Sequence, residues 1–153
     1  MPVKKRHCIS SKYLLASSLD LFGDHWTLLV IRDLMILGKH EFKEFLSSPE
    51  GISTNVLTDR LSYLCSEGLV AWIEHPHSKK RKLYYLTEDG KSLFPVLSSI
   101  VAWNLRNTSV EKIPERLRLV AAGKTDEAEK LMRSALTSWE KKYLPEESAN
   151  FVK

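Results

Sequence analysis

A mainly α-helical fold with one small β-hairpin, an α+β winged helix-turn-helix, is predicted by three features of the sequence. A short helical stretch and a tight turn lead into a longer helix with a polar outer face. After Gly68 the periodicity changes from helical to extended. A basic run then separates two strand-like segments, and a further helix follows.

Residues 1–10 read as a basic arm, opening Met1-Pro2-Val3-Lys4-Lys5-Arg6-His7. From Ser11 onward, Leu14, Leu15, Ser18, Leu19 and Phe22 recur at steps of three and four, which predicts a first helix. Gly23 ends it, and Asp24 is placed to cap the next. The second helix, from His25 to about Leu37, is apolar on most sides through Trp26, Leu28, Leu29, Val30, Ile31, Leu34 and Met35. Such a helix belongs in the core, and Gly38 stops it. A short helix from about Glu41 to Ser47 faces Phe42, Phe45 and Leu46 inward, and Pro49-Glu50-Gly51 turns the chain. Ser53 is a good N-cap for the next helix, with Ile52 and Leu57 at the two positions of a hydrophobic staple. This helix runs to about Glu67. Its inner face is Val56, Leu57, Leu61, Leu64 and Cys65, and its outer face is Thr54, Asn55, Thr58, Asp59, Ser62 and Tyr63.

Leu69 to Ile73 and Leu83 to Thr87 are rich in strand formers, and the basic, polar stretch from His75 to Lys82 between them reads as a hairpin tip. A long helix is predicted from about Glu88 to Arg106, with Leu93, Phe94, Leu97, Ile100, Val101 and Leu105 on its apolar face and Pro95 disturbing its first turns. Two more helices, about Glu115–Ala122 and Asp126–Tyr143, are separated by Gly123-Lys124-Thr125. The second has acids at its start and lysines at its end, which complements the helix dipole. Its apolar face, Leu131, Met132, Ala135, Leu136 and Trp139, is expected to pack on the rest of the protein. The chain thus divides into an arm (1–10), a winged helix-turn-helix domain (11–107) and a helical extension (108–153).

Composition excludes several classes. With 43% hydrophobic and 27% charged residues, 153 residues can bury a core and are unlike a disordered chain. Two cysteines, Cys8 and Cys65, do not make a disulfide scaffold. Ser10, Ser11 and Lys12 break the apolar stretch that a signal peptide needs, and the run Leu28–Ile31 is too short to span a bilayer. A cytoplasmic protein that meets no membrane is therefore expected, and the sequon Asn107-Thr108-Ser109 reads as chance. No spacing of Cys, His or acids suggests a catalytic triad, and there is no glycine-rich phosphate loop. His75 and His77 lack a third ligand for zinc, so neither an enzyme nor a cofactor is expected.

A net charge of +4 mildly favours an acidic partner. The order of elements points further. The polar-faced helix has the size to enter a major groove, and its first turns carry Ser53, Thr54, Asn55 and Thr58, short groups that hydrogen-bond to bases and phosphates. Arg60 reaches a phosphate or pairs with a carboxylate inside the domain. Lys79, Lys80, Arg81 and Lys82 near the hairpin tip suit the phosphate backbone, where contacts give affinity without sequence choice. Each feature alone also describes an ordinary solvated surface. Only their order singles out double-stranded DNA as partner.

Residues from about Cys8 to Asn107 resemble the HxlR-type bacterial winged helix-turn-helix regulators. The resemblance is carried by Trp26–Leu34, Gly51–Leu61, Glu67-Gly68-Leu69-Val70, Tyr84–Gly90 and Leu93–Leu97. It implies a transcriptional regulator, a repressor in the first instance, acting as a homodimer on a pseudo-palindromic operator. The dimer would form through the N-terminal helix (Tyr13 to Phe22) and the long helix after the wing (Phe94 to Leu105), with Trp103 near the seam. Asp24-His25 stands where the family usually has Gly-Lys, which weakens any phosphate contact there. The stretch from Ile113 to Lys153 is longer than usual for the family.

Cys8 sits where several such regulators carry a cysteine that responds to oxidants or electrophiles, although Ile9 follows it instead of the usual Pro. Lys4, Lys5, Arg6 and His7 favour its thiolate, so Cys8 is a candidate redox sensor; the alternative is an ordinary thiol. Cys65, on an inner helix face, reads as core. The competing reading for the whole chain is a winged helix used as a protein-interaction module, since fold alone does not fix function.

Overall fold

A computed structural model describes residues 11–107 and 115–145. A 3-10 turn, Ser11–Tyr13, leads into α1 (Leu14–Phe22), α2 (His25–Met35), α3 (Phe42–Leu46) and α4 (Thr54–Ser66). The antiparallel hairpin β1 (Val70–His75) and β2 (Ser78–Leu86) follows. Next come α5 (Glu88–Lys91), α6 (Phe94–Asn107), α7 (Glu115–Ala121) and α8 (Thr125–Tyr143). The mainly helical fold with one hairpin is the one the sequence predicts.

Local chemistry explains most boundaries. Asp24 Oδ1 accepts from the Thr27 backbone N–H at 3.0 Å and so starts α2. Ser53 Oγ accepts from the Val56 N–H at 3.3 Å and starts α4. Ile52 and Leu57, the staple pair, are both buried beside that cap. At the other end Gly68 takes φ +71°, the left-handed geometry that a helix terminus of this kind requires.

The core forms where α2 crosses α4. Val30, Ile31, Leu34 and Met35 meet Leu57, Leu61 and Leu64, with Phe45 of α3 between them. Val70 and Leu86 close one end from the hairpin, and Leu93, Phe94 and Leu97 close another. The extension joins this core: Val120, Ala128, Met132 and Leu136 are buried in the same cluster. Leu131 differs from expectation. It is exposed, because α8 presents only Ala128, Met132 and Leu136 squarely to the core.

Two further expectations are corrected. The single helix from Glu88 to Arg106 is broken at Ser92 and Leu93, between α5 and α6. Pro95 has no N–H to donate back to Lys91, so α6 begins afresh, with Pro95 in its first turn, where a missing N–H costs nothing. The outer face of α4 also loses Tyr63. Its hydroxyl donates to the Asp20 carbonyl of α1 at 3.1 Å and ties α1 to α4.

Apolar residues remain exposed on the N-terminal segment and on α6. Tyr13, Leu14, Leu15 and Leu19 on the N-terminal segment, and Ile100 and Trp103 on α6, are exposed, Leu15 at 73% and Trp103 at 62%. These are the segments for which the family resemblance implies a dimer seam. Among the described residues no single helix is long and apolar enough to cross a membrane.

Candidate nucleic-acid interface

Capping and the staple aim the first turns of α4 away from the core. Ser53, Thr54, Asn55 and Thr58 are all exposed. Ser53 is partly committed to its cap but keeps its hydroxyl hydrogen for a phosphate. Thr58 Oγ1 donates to the Thr54 carbonyl at 2.8 Å, so towards a partner it offers lone pairs and a methyl group. Asn55 shares this face, and so does Asp59, an exposed carboxylate not counted among the sequence candidates.

Arg60 makes an ion pair inside the domain, one of its two sequence readings. Its Nη1 lies 3.5 Å from Asp24 Oδ1, and its guanidinium sits 5.5 Å from the centre of the Tyr63 ring. It joins α4 to the start of α2. Asp24 therefore caps α2 and holds Arg60 at once.

The basic run does not form the hairpin tip. The turn is made by Pro76 and His77, and β2 already begins at Ser78. Glu74 pairs with Lys82 while His75 pairs with Ser78, so Lys79, Lys80 and Arg81 have no partner residue on β1. They form a basic bulge, a device that bends a strand and re-aims its side chains. Lys79 and Lys80 are exposed there. Arg81, half-exposed, pairs through its Nη2 with Glu41 Oε2 at the start of α3. Arg81 thus holds the wing to the body. Lys82 lies over the Trp72 ring, 3.7 Å from its centre. Sequence spacing showed the charge of these four residues but could not show that Arg81 clips onto Glu41 or that Lys82, itself exposed, lies on an indole.

α4 and the hairpin with its basic bulge stand in the order of the recognition helix and wing of a winged helix-turn-helix. The HxlR-like helix-turn-helix family model matches residues 21–113, from the end of α1 past the end of α6. The chain belongs to the HxlR-like helix-turn-helix family. It is 33% identical over 86 residues to the uncharacterized HTH-type transcriptional regulator YvaP of Bacillus subtilis, covering 56% of this chain and 79% of YvaP. It spans only 53% of the HTH-type regulator Rv3095 of Mycobacterium tuberculosis, which it also matches. Its fold is similar to that of PA1607, with a TM-score of 0.59 and 30% identity over 69% of this chain and 72% of PA1607. It is also similar to the redox regulator HypR in its oxidized form, with a TM-score of 0.53 and 32% identity over 61% of this chain and 95% of HypR. This HxlR-like protein is a transcriptional regulator with a helix-turn-helix domain and is not an enzyme.

A polar cluster that sequence reasoning missed sets the start of its recognition helix. Asp33 is buried on α2 and accepts from Arg32 Nε at 2.9 Å, Lys39 Nζ at 3.3 Å and Ser48 Oγ. Arg32 also forks onto Glu50, with Nη2 at 3.1 Å from Oε2 and Nη1 on Oε1. Glu50 lies in the turn before α4, so the fork pins that turn to the core helix. The Arg32 hydrogen bonds hold the Glu50 carboxyl down at about 2.

A carboxyl lowered on folding stabilises above its ordinary range and loses that contribution as pH falls through its folded value. The HxlR-like chain should therefore lose part of its stability between about pH 4.5 and about pH 2 through Glu50. In thermal melts across that window, Glu50→Gln should be less stable than wild type at neutral pH and show a flatter acid decline. Parallel curves at all pH values would remove Glu50 from the account.

Cys65, half-buried on α4, has its thiol pushed up by desolvation, the reverse of an activated cysteine. Cys8 lies outside the described residues.

Proposed function

We propose that this HxlR-like regulator binds a specific double-stranded DNA site as a homodimer in the cytoplasm and represses transcription by occupying a promoter. The observation that carries the reading is the exposure, on one module, of the polar first turns of α4 and the two lysines of the wing bulge. α4 enters a major groove, where Asn55 pairs with adenine and Thr58 meets a thymine methyl or a base donor. Asp59 accepts from cytosine N4. Lys79 and Lys80 bind phosphates and supply salt-dependent affinity. Arg81 contributes through the position it gives the wing. The exposed apolar residues of α1 and α6 support a two-fold pairing that sets two α4 helices about one helical turn apart.

The test is fluorescence anisotropy on duplex DNA from the gene's own upstream region against a scrambled duplex. A specific regulator prefers the upstream DNA by about a thousandfold or more at physiological salt. Equal binding to both duplexes rejects specificity, and no binding rejects the reading. In the same assay Lys79→Ala with Lys80→Ala should lower the salt slope by about 0.9 for each phosphate no longer neutralised. Asn55→Ala should relax base preference while leaving the slope unchanged.

Cys8 is proposed as a redox-sensing thiol, supported by its basic neighbours and by the similarity to HypR, a redox regulator. Mild thiol oxidation should change DNA affinity in wild type, and Cys8→Ser should abolish that response. A response that survives in Cys8→Ser assigns it elsewhere.

A further inference from the structure

α7 and α8 lie beyond residue 113, where the family match ends, yet they are not a loose appendage. α8 packs in the common core through Ala128, Met132 and Leu136. Its second half reaches the wing. The Trp139 ring lies flat on the His40 ring, with centres 3.8 Å apart and planes 10° apart. Tyr85 of β2 and Tyr143 flank the same indole at 6.2 Å and 5.0 Å. His40 is in turn bound to β2. The Tyr84 N–H donates to the His40 carbonyl at 2.8 Å, and His40 Nδ1 donates to the Tyr84 carbonyl at 2.7 Å. The next residue, Glu41, bridges to Leu83 and carries the Arg81 clip.

A second tie joins α8 to α5. Lys91 of α5 is buried, with its Nζ 2.7 Å from Glu140 Oε1 and 2.7 Å from Glu88 Oε1. Arg133 Nη1 is 2.9 Å from Glu88 Oε2. α8 therefore grips both β2 and the short helix that follows it.

A two-stranded hairpin is marginal alone, so its orientation depends on what covers its faces. Val70 and Leu86 seal one face onto the core. On the opposite face, Tyr85 meets Trp139. We propose that α8 is the anchor of the wing and that Trp139 is a positioning residue, fixing where Lys79 and Lys80 point without touching nucleic acid. The consequence for binding rests on the DNA reading above; the anchoring itself does not.

The test uses the full chain with Trp139→Ala and Trp139→Phe. In the free protein, hydrogen exchange should show the β1 and β2 amides losing protection in Trp139→Ala, with the α4 amides unchanged. Trp139→Phe keeps a ring on His40 and should restore protection. On DNA, Trp139→Ala should weaken binding about tenfold, a coupling within the range for residues acting through a shared element. In a background already carrying Lys79→Ala and Lys80→Ala it should weaken binding no further. Wing amides with wild-type protection in Trp139→Ala overturn the proposal, as does an effect that simply adds to that of the lysine changes. Loosened wing amides in a protein whose wild type binds no duplex would uphold the anchor and reject the DNA reading.

Discussion

Gly90→Ala is expected to destabilise the protein by about 3 kcal/mol or more, at the upper end of what overpacking costs. Gly90 lies within α5, where alanine would ordinarily gain about 1 kcal/mol in helix propensity. Here a Cβ would stand 2.1 Å from the Leu69 carbonyl oxygen and 3.0 Å from Leu86 Cδ2. The oxygen cannot swing aside cheaply. It accepts from the Thr87 N–H at 3.1 Å, and the preceding Gly68 carbonyl accepts from Thr87 Oγ1 at 2.6 Å. Thr87 Oγ1 in turn accepts from the Gly90 N–H at 3.2 Å, so moving α5 away breaks its own cap. The steric term therefore outweighs the propensity gain. Urea unfolding of Gly90→Ala beside wild type reads the difference, and an alanine variant as stable as wild type would mean that α5 can lift off Leu69 freely.

The same glycine shows where a sequence can be read and where it cannot. Thr87-Glu88-Asp89-Gly90 announces a helix start through its cap and acids, and α5 begins there. What the pattern does not carry is the closeness of another backbone, which depends on how the hairpin folds back. The recognition helix was legible almost to the residue, because Ser53, Ile52, Leu57 and Gly68 are local signals that act within one or two turns. The hairpin was legible as a hairpin. Its register was not: the strands slip at Glu74 and His75, and the unpaired stretch carries Arg81, whose partner Glu41 lies forty residues away in sequence. The reach of α8 to the wing was equally hidden. Trp139 read correctly as part of an apolar face, but periodicity cannot name the ring it meets.

The largest effect on binding is expected from the exposed apolar residues of α6. Trp103→Glu combined with Ile100→Glu should leave a folded monomer whose affinity for a two-half-site operator is about a hundredfold or more weaker, the gain that linking two binding modules brings. Folding should survive because both side chains are about half or more exposed in the single chain, at 62% and 49%. A two-fold interface places the same patch on both partners, so each substitution enters twice and four carboxylates would face one another across the seam. Leu14, Leu15 and Leu19 lie exposed on α1, and the same two-fold seam would bury them on pairing. Analytical ultracentrifugation at micromolar concentration should therefore show a dimer for wild type and a monomer for the double variant. Anisotropy on a single half-site should then give both proteins similar, weak affinity, which separates loss of pairing from damage to α4. A double variant that remains dimeric would move the seam elsewhere, and a wild type that sediments as a monomer would rule out binding to a two-fold operator as a preformed pair.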